Sequence, residues 1–214
     1  MYRIEFLSSI RTYYSNSFSG CTNVVEVRNE GVSEKVMGDL QTEVLNFYKE
    51  GEGTRKVFLN EEYVVYISPE NSDSRIIAYL GAETNVRLPD TIEGQAYSIH
   101  KRAFLDNDSL VSVEFPSPIT SIGDSAFESC GSLESVVWPD SGLTTIGKNA
   151  FYYASSLASI KLPSTLTTIG NDAFFGCSKL KTVQNLSSLP ITKGSTDYGY
   201  VAYYADTIIG ADAE

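Results

Sequence analysis

Residues 99–110, 122–133, 146–157 and 169–180 read IHKRAFLDNDSL, IGDSAFESCGSL, IGKNAFYYASSL and IGNDAFFGCSKL. These are four copies of one pattern. Phe104, Phe127, Phe151 and Phe174 stand 23, 24 and 23 residues apart, and Leu110, Leu133, Leu157 and Leu180 keep the same spacing. A period of this length predicts a stack of equivalent coils, each burying its apolar side chains against its neighbours. The expected fold class is therefore a repeat solenoid.

Working outward, each copy is preceded by a short alternating run. Val113-Glu114-Phe115-Pro116, Val136-Val137-Trp138-Pro139 and Ile160-Lys161-Leu162-Pro163 alternate in and out and end in Pro. Alternation at period two is a strand with one buried face, and Pro closes it because it has no ladder donor. Ile119, Leu143 or Leu166 then packs inward. Gly123, Gly147 and Gly170 are expected to permit a tight backbone turn. Ala-Phe drives the largest side chain into the core, and Leu leads into the next strand.

A weaker copy opens the chain. Ile4-Glu5-Phe6-Leu7 matches the strand, Phe18 the Phe position and Val24 the Leu position, with Ile4 and Val27 in register. A solenoid needs capped ends, so this start inside a repeat suggests missing residues before Met1 or a packed neighbour. Residues 28–85 interrupt the period. Ser33 to Lys49 carries helical spacing at Val36, Met37, Leu40, Val44, Leu45 and Tyr48. Tyr63–Ile67 and Arg75–Tyr79 flank the turn-rich SPENSDS and predict a hairpin. The period resumes at Val86, with a four-residue insertion before Ile99, and fades after Val183. The expected organisation is one domain over 1–214: a degenerate repeat at 4–27, an insertion at 28–85, regular repeats at 86–183, and a cap or tail at 184–214. The tail contains Tyr198, Tyr200, Tyr203 and Tyr204, read as a terminal cap or as a sticky surface.

These residues resemble the BspA-type leucine-rich repeats of bacterial surface proteins. The stretch SIGDSAFESCGSLESVVWP (residues 121–139) carries the likeness most closely, and YVVYISPENSDSRIIAYLGAETNVRLP (residues 63–89) is similar to a hairpin insert of that family. The resemblance implies a right-handed leucine-rich-repeat solenoid with a parallel sheet on its concave side. It further implies a bacterial cell-surface or secreted location, and cell adhesion through protein partners such as fibronectin or fibrinogen. It brings no catalytic residues.

Outward strand positions are the candidate binding site. One row is Glu5, Arg28, Arg87, Glu114, Val137, Lys161 and Gln184; the other is Arg3, Glu26, Asn85, Ser112, Ser135, Ser159 and Thr182. The site is expected at Ser112, Glu114, Ser135, Val137, Ser159, Lys161, Thr182 and Gln184, where the backbone repeats and the side chains vary. The competing reading is that short hydroxyl residues simply tolerate a crowded sheet.

The 214 residues are 42% hydrophobic and carry a net charge of −11. That charge repels nucleic acid and anionic membrane surfaces. No segment approaches the ~20 apolar residues of a membrane span, so no membrane insertion is expected. MYRIEFLSSI lacks a signal-peptide pattern. Cys21, Cys130 and Cys177 each follow an equivalent Phe by three residues, a small core position shared with Asn107 and Ala154. Coils ~4.8 Å apart would hold Cys130 and Cys177 beyond disulfide reach.

Catalytic and metal motifs are scarce. The chain has 1 histidine, His100, at a repeat turn. Ser98 and Lys101 fit S-x-x-K, and Lys193-Gly-Ser195 faintly resembles K-T-G, but the first falls inside a repeat copy, on irregular backbone rather than the helix that motif needs. Asp106-Asn107-Asp108 lacks the Gly and distal Glu of a calcium loop. No enzyme, cofactor or metal is expected. The leading reading is a non-enzymatic binding module. The alternatives are a structural component of a virion or appendage and a carbohydrate-binding accessory module, with a glycan as possible ligand.

Overall fold

The computed structural model describes the strand segments at 2–6, 24–29, 47–49, 56–59, 63–67 and 74–79, then residues 81–210 apart from 93 and 116–118; side chains are described at 63, 65, 74–79 and through that second part. β1 (Tyr2–Phe6), β2 (Val24–Asn29) and β3 (Phe47–Lys49) form a parallel sheet, with Ile4 opposite Val27 as the repeat spacing requires. The helix expected over 33–49 meets a correction at its end. Phe47–Lys49 pair with Val27–Asn29 as a strand, in line with the β preference of Phe and Tyr as residue types. Residues 33–46, and with them the rest of that helix, lie outside the described residues.

β4 (Lys56–Leu59), β5 (Tyr63–Ile67) and β6 (Ser74–Tyr79) run antiparallel. The β5–β6 hairpin is the one expected around SPENSDS; β4 is an added strand whose apolar Val57-Phe58-Leu59 run marks it in the sequence. β6 then joins the solenoid by pairing parallel with β8, Ile76 facing Ile99.

From residue 85 the coils repeat. β7 (Asn85–Arg87), β9 (Ser112–Glu114) and β11 (Ser135–Val137) stack in parallel register, as do β13 (Ser159–Leu162), β15 (Thr182–Asn185) and β16 (Thr207–Gly210). Between them, β8 (Tyr97–Ile99), β10 (Ser121–Ile122), β12 (Thr145–Ile146) and β14 (Thr168–Ile169) make a second parallel stack, with Ile99, Ile122, Ile146 and Ile169 in one column. The fold is thus a parallel β-solenoid, as the repeat predicted. Among the described residues the only helical piece is a single 3₁₀ turn at Tyr198–Tyr200.

The tail continues the stack. β16 pairs with β15 in register, Val183 opposite Ile208. The Phe174 N–H donates to the Gly199 carbonyl at 2.7 Å, so Gly199 stands where Ala173 stands one coil earlier.

Backbone hydrogen bonding explains the irregular arm that holds Phe. In each of the first three coils three amides donate to the next coil, and in the fourth only Phe174 does. At the second coil these are Ser125 to Lys148, Phe127 to Ala150 and Ser129 to Tyr152, at 2.7–2.8 Å. The alternate amides, Ala126, Glu128 and Cys130, donate within the coil three residues back. In the first three coils this alternation gives every amide of the arm a backbone acceptor, as burial requires. It also forces left-handed backbone two residues before and after each Phe. Arg102, Ser125, Asn149 and Asp172 have φ of 55–60°, and Asp106, Ser129 and Tyr153 have φ of 56–59°.

The glycine stack serves a purpose other than the one expected. Gly123, Gly147 and Gly170 do not have positive φ. Instead the coils come too close for a side chain: a Cβ would lie 2.6 Å from the Lys101 amide nitrogen at Gly123 and 2.4 Å from that of Lys148 at Gly170. His100 takes the same position at the first coil, where its neighbour is strand β6 and its amide donates to Ile76 at 2.8 Å.

Stacking at this spacing aligns the core. Tyr79, Phe104, Phe127, Phe151 and Phe174 form a ladder with ring centroids 5.3, 4.7, 5.2 and 5.2 Å apart and interplanar angles of 22°, 15°, 1° and 12°. Cys130, Ala154 and Cys177 are fully buried beside it, as the small-residue position required; Cys21 lies outside the described residues. The Cys130 thiol donates to the Phe104 carbonyl at 3.1 Å and the Cys177 thiol to the Phe151 carbonyl at 3.2 Å. Burial pushes both thiols up to about 12, so they stay protonated and keep this donor role at neutral pH.

Two substitutions test the coil geometry. Phe127→Ala should cost about 3–5 kcal/mol in denaturant titration, since the ring is enclosed on all sides; a loss below 1 kcal/mol would sink its place in the ladder. Ser125→Val should be about 1–2 kcal/mol less stable than Ser125→Gly, because a β-branched side chain clashes in left-handed backbone. Equal stabilities would contradict the turn.

Candidate functional site

The strand face of the β7–β9–β11 and β13–β15–β16 stacks gathers the expected site residues. The second residue of β7, β9, β11, β13 and β15 points inward, Val86, Val113, Val136, Ile160 and Val183 being buried, while Ile208 of β16 is half-buried. Their flanking neighbours point out. Register places Ser112 beside Ser135 and Glu114 beside Val137. It places Ser159 beside Thr182 and Lys161 beside Gln184. All eight predicted residues therefore share one face in two rows. Asn85 and Arg87 extend the rows at one end, Thr207 and Ile209 at the other. Thr207 and Ile209 escaped the sequence reading because the TIIG strand follows a tail with no Ala-Phe marker. The β1 and β2 members keep their backbone register, Arg3 with Glu26 and Glu5 with Arg28, but their side chains lie outside the described residues.

The charges on this face are mostly engaged with each other. Arg87 reaches Asp90 at 3.3 Å and Glu114 at 3.5 Å, and Lys161 pairs with Asp140. These pairs are solvent-exposed and contribute little stability, but they fix where charge is displayed. Short polar contacts run across coils, such as the Ser112 hydroxyl donating to the Asn85 side-chain oxygen at 2.8 Å. Val137 stands out as the apolar point of the face, at 56% exposure.

The face is interrupted once. The coil holding Trp138 has one extra residue before Leu143, accommodated by Gly142 at φ 100°. β11 and β13 fall in separate sheets. Across the break the Trp138 indole N–H donates to the Lys161 carbonyl at 2.8 Å.

A second feature was only half legible. The two positions after each Phe read Leu105-Asp106, Glu128-Ser129, Tyr152-Tyr153 and Phe175-Gly176. The structure joins Tyr152, Tyr153 and Phe175 to the tail tyrosines in one cluster on the turn arm. The sequence reading singled out the tail alone. Among the described residues, no group of three or more His, Cys, Asp and Glu side chains could hold a metal ion. No helix there is long and apolar enough to cross a membrane.

Stacked two-strand coils, glycine close approaches and a Phe ladder define a repeat solenoid that displays side chains on a fixed lattice. Residues 82–196 match the model of the BspA type leucine-rich repeat region in six copies. The chain belongs to that family. Solved structures share the fold. A leucine-rich cell surface protein of Faecalibacterium prausnitzii matches with a TM-score of 0.63 at 20% identity, over 99% of this chain and 60% of that one. A leucine-rich-repeat protein of Bacteroides capillosus matches with a TM-score of 0.51 at 21% identity, over 72% of this chain and 97% of that one. The pneumococcal vaccine antigen PcpA matches with a TM-score of 0.52 at 17% identity, over 78% of this chain and 44% of that one. No curated protein matches the chain in sequence.

Since Val137 and Lys161 point outward, Val137→Asp/Lys161→Glu should keep its melting temperature within about 4 °C of the parent, the scale of a surface change. A larger drop in calorimetry would mean that the face is part of the core.

Proposed function

We propose that this chain is a non-enzymatic protein-binding module, an adhesion domain of a bacterial surface or secreted protein. The observation that carries this reading is the strand face: two outward rows in fixed register, with a repeating backbone and changing side chains at Ser112, Glu114, Ser135, Val137, Ser159, Lys161, Thr182 and Gln184. Such a lattice suits recognition, because single positions vary without disturbing the coil beneath. Family membership supports the same reading. So does the neighbour from Faecalibacterium prausnitzii, described as a cell surface protein.

Size sets the expected strength. Six strands ~4.8 Å apart and about four residues long, at ~3.3 Å each, give a face of roughly 400 Å². A standard interface takes about 800 Å² per partner. The face alone therefore binds weakly, and strong attachment needs a further surface or several linked modules.

Biolayer interferometry with immobilised fibronectin and fibrinogen tests the proposal. Saturable micromolar binding should appear, and the folded Val137→Asp/Lys161→Glu variant should lose it. Binding to neither protein, or binding that the variant retains, would count against it. A monovalent dissociation constant below about 10 nM, abolished by this variant alone, would contradict the area argument.

A further inference from the structure

The turn arm of the last coils carries a continuous aromatic cluster outside the strand face. Tyr152 stacks on Phe175 of the next coil, with centroids 5.3 Å apart and planes 16° apart. Tyr153 stands edge-on to both, at 4.7 and 5.8 Å. Phe175 meets Tyr200 at 5.1 Å, Tyr200 meets Tyr203 at 5.5 Å, and Tyr203 meets Tyr204 at 4.9 Å. Six rings from three successive coils thus touch in series.

The coil does not need these rings. The inward Phe ladder is complete without them. The positions of Tyr152 and Tyr153 are filled by Glu128 and Ser129 one coil earlier, on the same backbone. Tyr153 also requires a glycine in the following coil: a Cβ on Gly176 would come within 2.8 Å of the Tyr153 ring. Tyr153 is 50% exposed and Tyr203 44%. With four partly covered rings, the patch offers roughly 300 Å² of aromatic surface, comparable to the largest apolar patch on a typical monomer, which is often functional.

The surroundings select the partner. Moving toward the N-terminus, the positions after Phe carry an acidic residue in each coil, Glu128 one coil earlier and Asp106 two coils earlier. The Tyr152 hydroxyl is raised above its ordinary value by desolvation first, then by Tyr153 and the carboxylates of Asp172 and Glu128. Around Tyr152 the neighbouring charges are carboxylates and the whole chain carries −11; at the far end the Lys181 ammonium donates to the Tyr204 carbonyl at 3.2 Å, so the acidic side of the cluster is the Tyr152 end. Ring faces beside carboxylates attract a guanidinium twice, by stacking and by charge. The rings are mostly near-perpendicular to one another, a relief that favours interdigitating side chains over a flat sugar ring.

We propose that this cluster is a second docking surface, for a protein partner that presents arginine side chains. It is separate from the strand face and supplies the further contact area which that face lacks.

The test is an NMR titration of the isotopically labelled chain with two synthetic peptides. One alternates Arg with Gly and Ser; its twin has citrulline at each Arg, which keeps the shape and removes the charge. The Arg peptide should shift amides at 152–153, 175–176 and 200–204. The twin should bind about tenfold more weakly or worse. Tyr153→Ser/Tyr203→Ser should lose about tenfold in affinity for the Arg peptide, while Val137→Asp/Lys161→Glu keeps it. If the double Tyr variant does not fold, Tyr153→Ser alone serves, since Ser129 already fills that position one coil earlier. No shifts, shifts confined to the strand face, or equal binding of both peptides would overturn the proposal. So would a glycan array or self-association signal that the Tyr variant abolishes without any Arg-peptide binding. Loss of fibronectin and fibrinogen binding in the strand-face variant alone bears on the other surface and leaves this result independent.

Discussion

Hydrogen bonds from each coil to the next set the spacing on which everything else depends. On the turn arm, the amide of each Phe donates to the carbonyl of the Ala before the next Phe: 2.8 Å from Phe104, 2.7 Å from Phe127 and 2.7 Å from Phe151. Strand ladders impose the same separation on the other arms. A ring stacked at 4.7–5.2 Å is then a consequence of the backbone. So is the exclusion of a side chain at Gly123, Gly147 and Gly170. The left-handed residues on either side of Phe are the local cost, and they let every second amide reach across to the neighbouring coil.

Because spacing is a backbone property, the outward side chains are free to differ. The strand face and the turn arm carry different chemistry on one lattice. The strand face shows hydroxyls, compensated charge and a single exposed Val137. The turn arm shows carboxylates in its early coils and aromatic rings in mutual contact in its late ones. Neither pattern is required for burial, since Val113, Val136, Ile160 and Val183 fill the inner face of the strands and the Phe ladder fills the arm.

Much of this architecture was legible in the sequence. The Phe and Leu spacing gave the stack, and the Val-Glu-Phe-Pro alternation gave both the buried Val and the two outward rows. The small position three residues after Phe was readable because Cys, Ala and Asn alternate there. Other features were not. Glycine in a repeat suggests turn geometry, and only the assembled coils reveal that Gly123 is needed for close approach. Tyr48 fitted a helical period, and the pairing of Phe47–Lys49 with β2 depends on a partner distant in sequence. The aromatic cluster was half visible, because Tyr200 and Tyr203 are concentrated in the tail. Their contact with Tyr152 and Phe175 arises only when consecutive coils are superimposed.

The strand face divides beside Trp138 into two panels of three strands, bridged by the indole and by one backbone hydrogen bond, from the Ala158 N–H to the Glu134 carbonyl at 3.2 Å, rather than by a full ladder of amides. Amide ladders transmit pleat and twist faithfully; a side-chain bridge does not. The turn arm and the β12–β14 ladder cross this boundary unbroken, so the change of phase is confined to the strand face. A long rigid ligand lying along the strand rows would match one panel and drift out of step on the other. Partners of this face are thereby favoured if they are short enough to lie within a panel, or jointed at the same interval.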